Sequence, residues 1–358
     1  MRRSMLVSCA ALALLVSACG GSGTSKQGTS STSPAARAVS VDVGTGTPIR
    51  VKTSKPRIAL FWTSGNLFQQ AYANGAEAEA RRRGVQLTVL DAKFDPLRQM
   101  QQVQNALQQK RYDAFVALPL DGNTMCPVLS RQAPAQGIVV VTSIVAMCNR
   151  VNADEGPGMW SPGTLAQVGN PGATNLSRDF YEQVDRRLTG MHTAALLNGP
   201  PLIAGSITSN TGLDQDIRAG VLRHLDVKYR INTDFTTPDG LAKTQTLLQG
   251  HPDVDVILSV YSDITTGAIR AIQAAGKTGK VKVYDRGGST ASIDELKAGQ
   301  LQMTTAEGYL PYTHGVDAVD AVVDAFEGRP VPRYVGEPGS ARWAAIDAGS
   351  VGAFRPQY

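Results

Sequence analysis

The chain alternates short apolar runs with longer amphipathic stretches. Ile58, Ala59, Leu60, Phe61 and Trp62 form a nearly unbroken apolar run after Arg57, the pattern of a strand covered on both faces. Thr63, Ser64, Gly65 and Asn66 then place small polar groups where the run stops. The spacing predicts strand 57–62, helix 68–83, strand 85–90, helix 96–109, strand 114–118, helix 124–136 and strand 138–142. Strands alternating with helices through short connections imply a parallel, doubly wound sheet with right-handed crossovers.

Past residue 144 the pattern lapses, and 147–171 is rich in turns. A second series then predicts helix 174–189, strand 194–197, a strand or loop over 203–209, helix 214–224, strand 228–235 and helix 239–250. Strand 254–260, helix 263–275, strand 280–284, helix 291–298, strand 302–305 and helix 312–327 follow. The fold class read from this is α/β, two Rossmann-like lobes with parallel sheets. In open α/β sheets ligands sit beyond the carboxyl ends of the strands. The polar exits 63–66 and 119–123, the latter holding Asp121, are therefore candidate binding positions.

The first residues change where the protein is expected to work. Arg2 and Arg3 precede an apolar stretch, 5–16, too short to span a bilayer, which is the layout of an export signal. Val16-Ser17-Ala18-Cys19 resembles a bacterial lipobox, which implies removal of 1–18 and lipidation of Cys19. Residues 20–48 are rich in Gly, Ser and Thr, so 19–55 reads as a flexible tether. The expected product is a globule lipid-anchored to the outer face of the cytoplasmic membrane. Cys9 goes with the leader. Cys126 and Cys148 remain in an oxidising compartment at one sheet edge, and a disulfide is expected between them.

At 358 residues, 42% hydrophobic and 18% charged, the chain has room for two domains and a sizeable core. A formal net charge of +5, with two of those charges in the leader, is too weak a bias for nucleic acid. No G-x-S-x-G occurs, and His192, His224, His251 and His314 lack the spacing of metal ligands or a triad. The stretch 271–278 loosely matches a phosphate-binding loop, but it closes an Ala-rich helix instead of opening one. The expectation is a protein with no enzymatic activity, cofactor or metal. A ligand-sensing repressor would need an N-terminal helix-turn-helix, and this chain begins otherwise.

Several phrases together resemble the type I periplasmic binding proteins, in the sugar-binding group of ABC importers that includes ribose-binding protein. They are I-A-L-F-W-T-S-G-N-L-F at 58–68, R-R-G-V-Q-L-T-V-L-D at 82–91, A-L-P-L-D at 117–121, the stretch 234–257, S-D-I-T-T-G-A-I-R-A-I-Q-A-A-G at 262–276 and L-K-A-G-Q-L at 296–301. The resemblance runs from Arg57 to Val331. It implies two lobes joined by a three-crossing hinge near 143–147, 309–311 and 333–337. The lobes would comprise 56–145 plus 311–333 and 146–310 plus 334–358. It further implies a monomer that clamps a small polar ligand, a sugar foremost, and delivers it to an importer permease. Alternatives are delivery to a sensor kinase, or a cyclitol, nucleoside or amino-acid-like cargo.

Carried over by position, the resemblance points to Asn66 and Phe68 in the first lobe. In the second it points to Phe235, Ser262, Asp263 and Asp285, with Gln215, Asp216 or Arg218 as a polar contact and Glu307 or Tyr309 at the last crossing. Trp62 and Tyr261 stand at strand exits and could stack on a sugar, and Trp160 is a further aromatic candidate. The chain departs from ribose binders at Ile144-Val145, where they carry Asp-Arg, at Leu118 in place of Asn, and at Gln69 in place of a second Phe.

Overall fold

The structure is a computed structural model that describes residues 38–152, 156–169, 173–305, 310–336 and 345–358. The leader, Cys19, Glu307 and Tyr309 lie outside the described residues, as do parts of two expected hinge crossings.

Val39, Val41, Ile49 and Val51 recur at period two, and strands β1 (Val39–Val41) and β2 (Ile49–Val51) pair as an antiparallel hairpin. Val41, Val43, Ile49 and Val51 are buried in the main core. The tether expected over 19–55 therefore does not extend through these residues. Their apolar alternation lets 38–51 fold onto the body, whereas the composition of the stretch suggested only a leash.

The first lobe runs through β3 (Arg57–Trp62), α1 (Leu67–Arg83), β4 (Gln86–Asp91), α2 (Pro96–Gln109), β5 (Ala114–Ala117), α3 (Gly122–Pro127), α4 (Ala133–Ala135) and β6 (Val139–Ser143). Residues 124–136, expected as one helix, break into α3, a π-helical turn at Val128–Gln132 and α4. Pro127 and Pro134 supply no N–H donors there, which favours the wider turn. Among the described residues this sheet has strand order β13-β7-β6-β5-β3-β4, where β7 is Ala166–Val168 and β13 is Tyr334–Val335. Every pairing in it is parallel. The pairing of β6 with β7 carries the first sheet beyond the expected boundary after 145, and β13 carries it beyond 333. Strands of three and two residues in turn-rich sequence leave no periodicity to read.

The second lobe is built from α5 (Thr174–Asp185), β8 (His192–Asn198), α6 (Ala204–Ala219), β9 (Leu225–Asn232), α7 (Thr237–Gly250), β10 (Val256–Ser259), α8 (Ser262–Ala274), β11 (Lys282–Asp285) and α9 (Thr290–Lys297). Its sheet order is β11-β10-β8-β9, again parallel throughout. The short strand β12 (Thr304–Thr305) pairs antiparallel with β14 (Ala345–Ile346). Helix α10 (Pro311–Phe326) returns to pack on α1 in the first lobe.

Helix α6 is displaced from the expected 214–224. It starts at Ala204, within the stretch read as strand or loop. Ser206, Ile207, Thr208, Ser209 and Thr211 have weak helix propensity, but Ser206, Thr208, Ser209, Gly212 and Leu213 are buried against the lobe and tertiary packing overrides it.

Both lobes use one device at their helix crossings. A Cβ at Gly75 would lie 2.1 Å from the carbonyl of Tyr312, and one at Gly315 would lie 2.1 Å from that of Tyr72. Helices α1 and α10 thus meet backbone to backbone, and α7 and α8 meet likewise at Gly240 and Gly267.

Candidate functional site

Each sheet has a switch point, where consecutive strands diverge to either side of the first. In the first lobe it lies between β3 and β5, in the second between β8 and β10. The residues that leave those strands enclose a cavity of about 120 Å³ between the lobes. At about 10–15 Å³ per water position this is room for a small solute.

The first lobe's polar face is the exit of β3. Asn66 caps α1, its side-chain oxygen accepting from the Gln69 N–H at 3.0 Å, and both residues line the cavity. Thr63 lines it too, with its hydroxyl oxygen accepting from the Phe94 N–H at 2.6 Å. The Gln69 Oε1 is buried and meets no donor among the described residues. Phe68 and Phe94 supply aromatic surface. The Phe68 ring stands edge-on to Tyr358, centroids 5.7 Å apart. Leu118, Pro119 and Leu120 from the β5 exit and Ile144 and Val145 from the β6 exit complete this side.

The second lobe contributes Ile203 and Gly205 at the start of α6, Phe235 after β9, Val260 and Tyr261 after β10, and Arg286 after β11. Phe235 has φ 66° and stands edge-on to Tyr261 at 5.6 Å. Its ring occupies the space that a side chain at Gly199 would fill, 1.9 Å from such a Cβ. Arg286 is 2% exposed and donates from Nη1 to Ser177 Oγ at 2.8 Å.

Of the expected site residues, the structure brings Asn66, Phe68, Phe235 and Tyr261 to one cavity. Trp62 is stacked on Tyr72 at 5.0 Å and faces a neighbouring cleft, which Asn66, Asp91, Thr237 and Asp263 share. Asp263 has its carboxyl pushed up to about 6 by burial and by the nearby charge of Asp285. Asp285 is fully buried outside the cavity lining. Its carboxylate accepts hydroxyls of Ser262 (3.1 Å), Thr265 (2.7 Å), Ser292 (2.6 Å) and Thr304 (2.9 Å). Burial raises its pKa, and the four hydroxyls pull the other way. Ser262 thus serves Asp285.

Asp121 caps α3, accepting from the N–H groups of Asn123 and Thr124. Gln215 lies eleven residues into α6, about 16 Å along the axis from the end at the cavity, and Arg218 lies further and is exposed. Asp216 is buried on Arg178 at 2.8 Å. Trp160 packs against the Arg333 guanidinium, 4.8 Å from its ring centroid, and is not in the cavity lining.

Sequence reasoning missed Arg286, Phe94 and Ile203, and it named Gln69 only as a departure from the ribose binders. Arg286 had the clearest signal, a charged residue directly after a strand end. The expected disulfide is present: Cys126 and Cys148 are bonded, Cα atoms 5.1 Å apart, tying α3 to the loop after β6. Among the described residues no group of three or more His, Cys, Asp or Glu is placed to hold a metal ion.

Two α/β lobes that enclose one small-molecule cavity at paired switch points define a solute-binding clamp. Comparison with known proteins gives the family. Residues 58–330 match the periplasmic binding protein domain. The ribose import binding protein of Bacillus subtilis is 27% identical over 280 residues, 77% of this chain and 83% of that protein. A Bacillus halodurans ABC transporter solute-binding protein with bound myo-inositol superposes with TM-score 0.72 at 19% identity, covering 86% of this chain and all of that one. One from Actinobacillus succinogenes with bound D-allose gives TM-score 0.69 at 21% identity over 84% of this chain and all of that one. The chain belongs to the periplasmic binding protein family, in its type I sugar-binding group; the proteins named here are an import binding protein and two ABC transporter solute-binding proteins.

Proposed function

We propose that the protein captures a sugar or polyol between its lobes and delivers it to an ABC importer permease, working outside the cytoplasmic membrane on a lipid anchor at Cys19. One observation carries this reading: a single cavity takes lining residues from the switch points of both sheets. A solute there touches both lobes at once, so binding favours the arrangement that brings them together. Asn66, Gln69 and Arg286 offer amide and guanidinium groups to hydroxyls, and Phe68, Phe235 and Tyr261 offer faces and edges to C–H surfaces.

The test is a thermal-shift screen of the purified protein against sugars, polyols, amino acids and nucleosides. A ligand at ~100 times its dissociation constant adds ~2.7 kcal/mol of stability. A rise with a sugar or polyol that Arg286→Ala abolishes supports the reading. A response only to amino acids or nucleosides overturns the cargo class. The anchor has its own assay: Cys19→Ser is expected to release the protein from the membrane fraction, and retention sinks that part.

A further inference from the structure

One side of the cavity is lined by apolar side chains alone. Leu118 and Ile144 follow neighbouring, hydrogen-bonded strands, since β5 pairs with β6 at Ala117 and Thr142. With Val145 they form a continuous apolar wall, 6–8% exposed. Its main-chain donors are spent inside the protein. The Leu118 N–H donates to Phe61 O, the Leu120 N–H to Gln99 Oε1, the Ile144 N–H to Val168 O and the Val145 N–H to Ser143 O. Gln99, fully buried, also donates to Leu118 O at 2.9 Å, so one amide holds both ends of that turn.

The wall is also fixed at a conformational cost. Ile144 has φ 68° and is the centre of a γ-turn closed at 2.6 Å, a conformation that β-branched residues rarely adopt. The Cys126–Cys148 bond and an Asn149 N–H donation to Asn123 Oδ1 at 2.7 Å fasten the loop that follows. Strain of this kind persists only where the surroundings over-determine it. Polar lining groups stand elsewhere, with Asn66 and the orphaned Gln69 Oε1 at the β3 exit and Arg286 at the β11 exit.

We infer that the solute is amphipathic: a monosaccharide-sized polyhydroxy compound with one deoxygenated carbon or methyl group, of the chemistry of a 6-deoxyhexose. That edge lies against Leu118, Ile144 and Val145, and the hydroxyls lie toward Asn66, Gln69 and Arg286. The inference rests on the solute-binding reading above. A hydroxyl pressed on these side chains loses its water and meets no side-chain partner, whereas a methyl group gains contact there.

Isothermal titration with matched pairs tests it: D-fucose with D-galactose, L-fucose with L-galactose, L-rhamnose with L-mannose. In at least one pair the 6-deoxy member is expected to bind about 10–100-fold tighter. Val145→Thr adds a hydroxyl to the wall at nearly constant volume and is expected to reduce that ratio about tenfold. Leu118→Asn is expected to reverse the preference. If a sugar or polyol binds and its hydroxylated form is equal or tighter in every pair, the inference falls and the solute-binding reading stands. If no sugar or polyol binds, both fall. A ratio unchanged in both variants, each folded by circular dichroism, removes the wall from specificity.

Discussion

Asp285 shows how one carboxylate can organise a lobe without lining the cavity. Four hydroxyls from α8, α9 and β12 converge on it. Asp285→Ala would leave them without their acceptor. It is expected to destabilise the protein by about 3 kcal/mol, using the cost of losing hydrogen bonds to a buried charge, and urea denaturation measures this. Asp263 acts on pH dependence. Its folded pKa, about 6, is raised from the ordinary aspartate value. The folded state therefore holds a proton that the unfolded chain has given up, and this group's contribution declines as pH rises from about 4 to about 6. Asp263→Asn is expected to raise stability at pH 7 and to have little effect below pH 4, read from melting temperatures across that range. At this scale the sequence was legible to about one residue. Asp285 was singled out, but side chains alternate at a strand end. The carboxylate turns toward the helices, and Arg286 lines the cavity.

At the scale of elements, the lobes depend on close helix crossings. Gly75→Ala or Gly315→Ala would drive a methyl group into a backbone carbonyl between α1 and α10. Each is expected to cost about 1–3 kcal/mol, the usual range for overpacking, in chemical denaturation. Reducing Cys126–Cys148 opens a loop of 22 residues, which loop entropy values at about 3 kcal/mol. It also frees the segment behind Ile144 and Val145. Dithiothreitol should therefore lower melting temperature and solute affinity together, and unchanged affinity would separate the bond from the cavity wall. Strands β3, β5, β6, β8 and β10 were readable because burial on both faces leaves a run of consecutive apolar residues in each. Strands β7 and β13 were not, because two or three residues cannot establish a period. Helix α6 was misplaced because its buried face is made of Ser, Thr and Gly, whose apolar signal is weak.

At the scale of the whole molecule, the two-lobe plan followed from the strand–helix alternation, while the docking of the N-terminal hairpin followed from tertiary contacts. Arg333 makes an ion pair with Asp42 at 2.5 Å, packs on Trp160 and immediately precedes β13. The hairpin is thus fastened beside a strand that closes the first sheet. If the lobes close on a solute, the radius of gyration should fall when it is added, and X-ray scattering at saturating solute checks this. An unchanged curve would mean that the cavity fills without lobe movement.

The last two residues link the halves of the molecule. Gln357 donates from Nε2 to Thr313 Oγ1 at 2.7 Å and accepts from the Thr313 N–H at 3.2 Å, at the start of α10. Tyr358 donates from its hydroxyl to Gly287 O at 2.8 Å and accepts from the Thr290 N–H at 2.7 Å, on the second lobe. Any widening of the cleft must either break the pair at Thr313 or carry the tail along. If the cleft opens to release a solute, the tail would therefore resist that opening. Losing the two Gln357 bonds, about 1–2 kcal/mol, corresponds to roughly 5–30-fold in the ratio of molecules with the tail joined to Thr313 to those without. Gln357→Ala should shorten the lifetime of the bound solute by a similar factor in stopped-flow dissociation, and the cargo would then leave before a transporter could receive it.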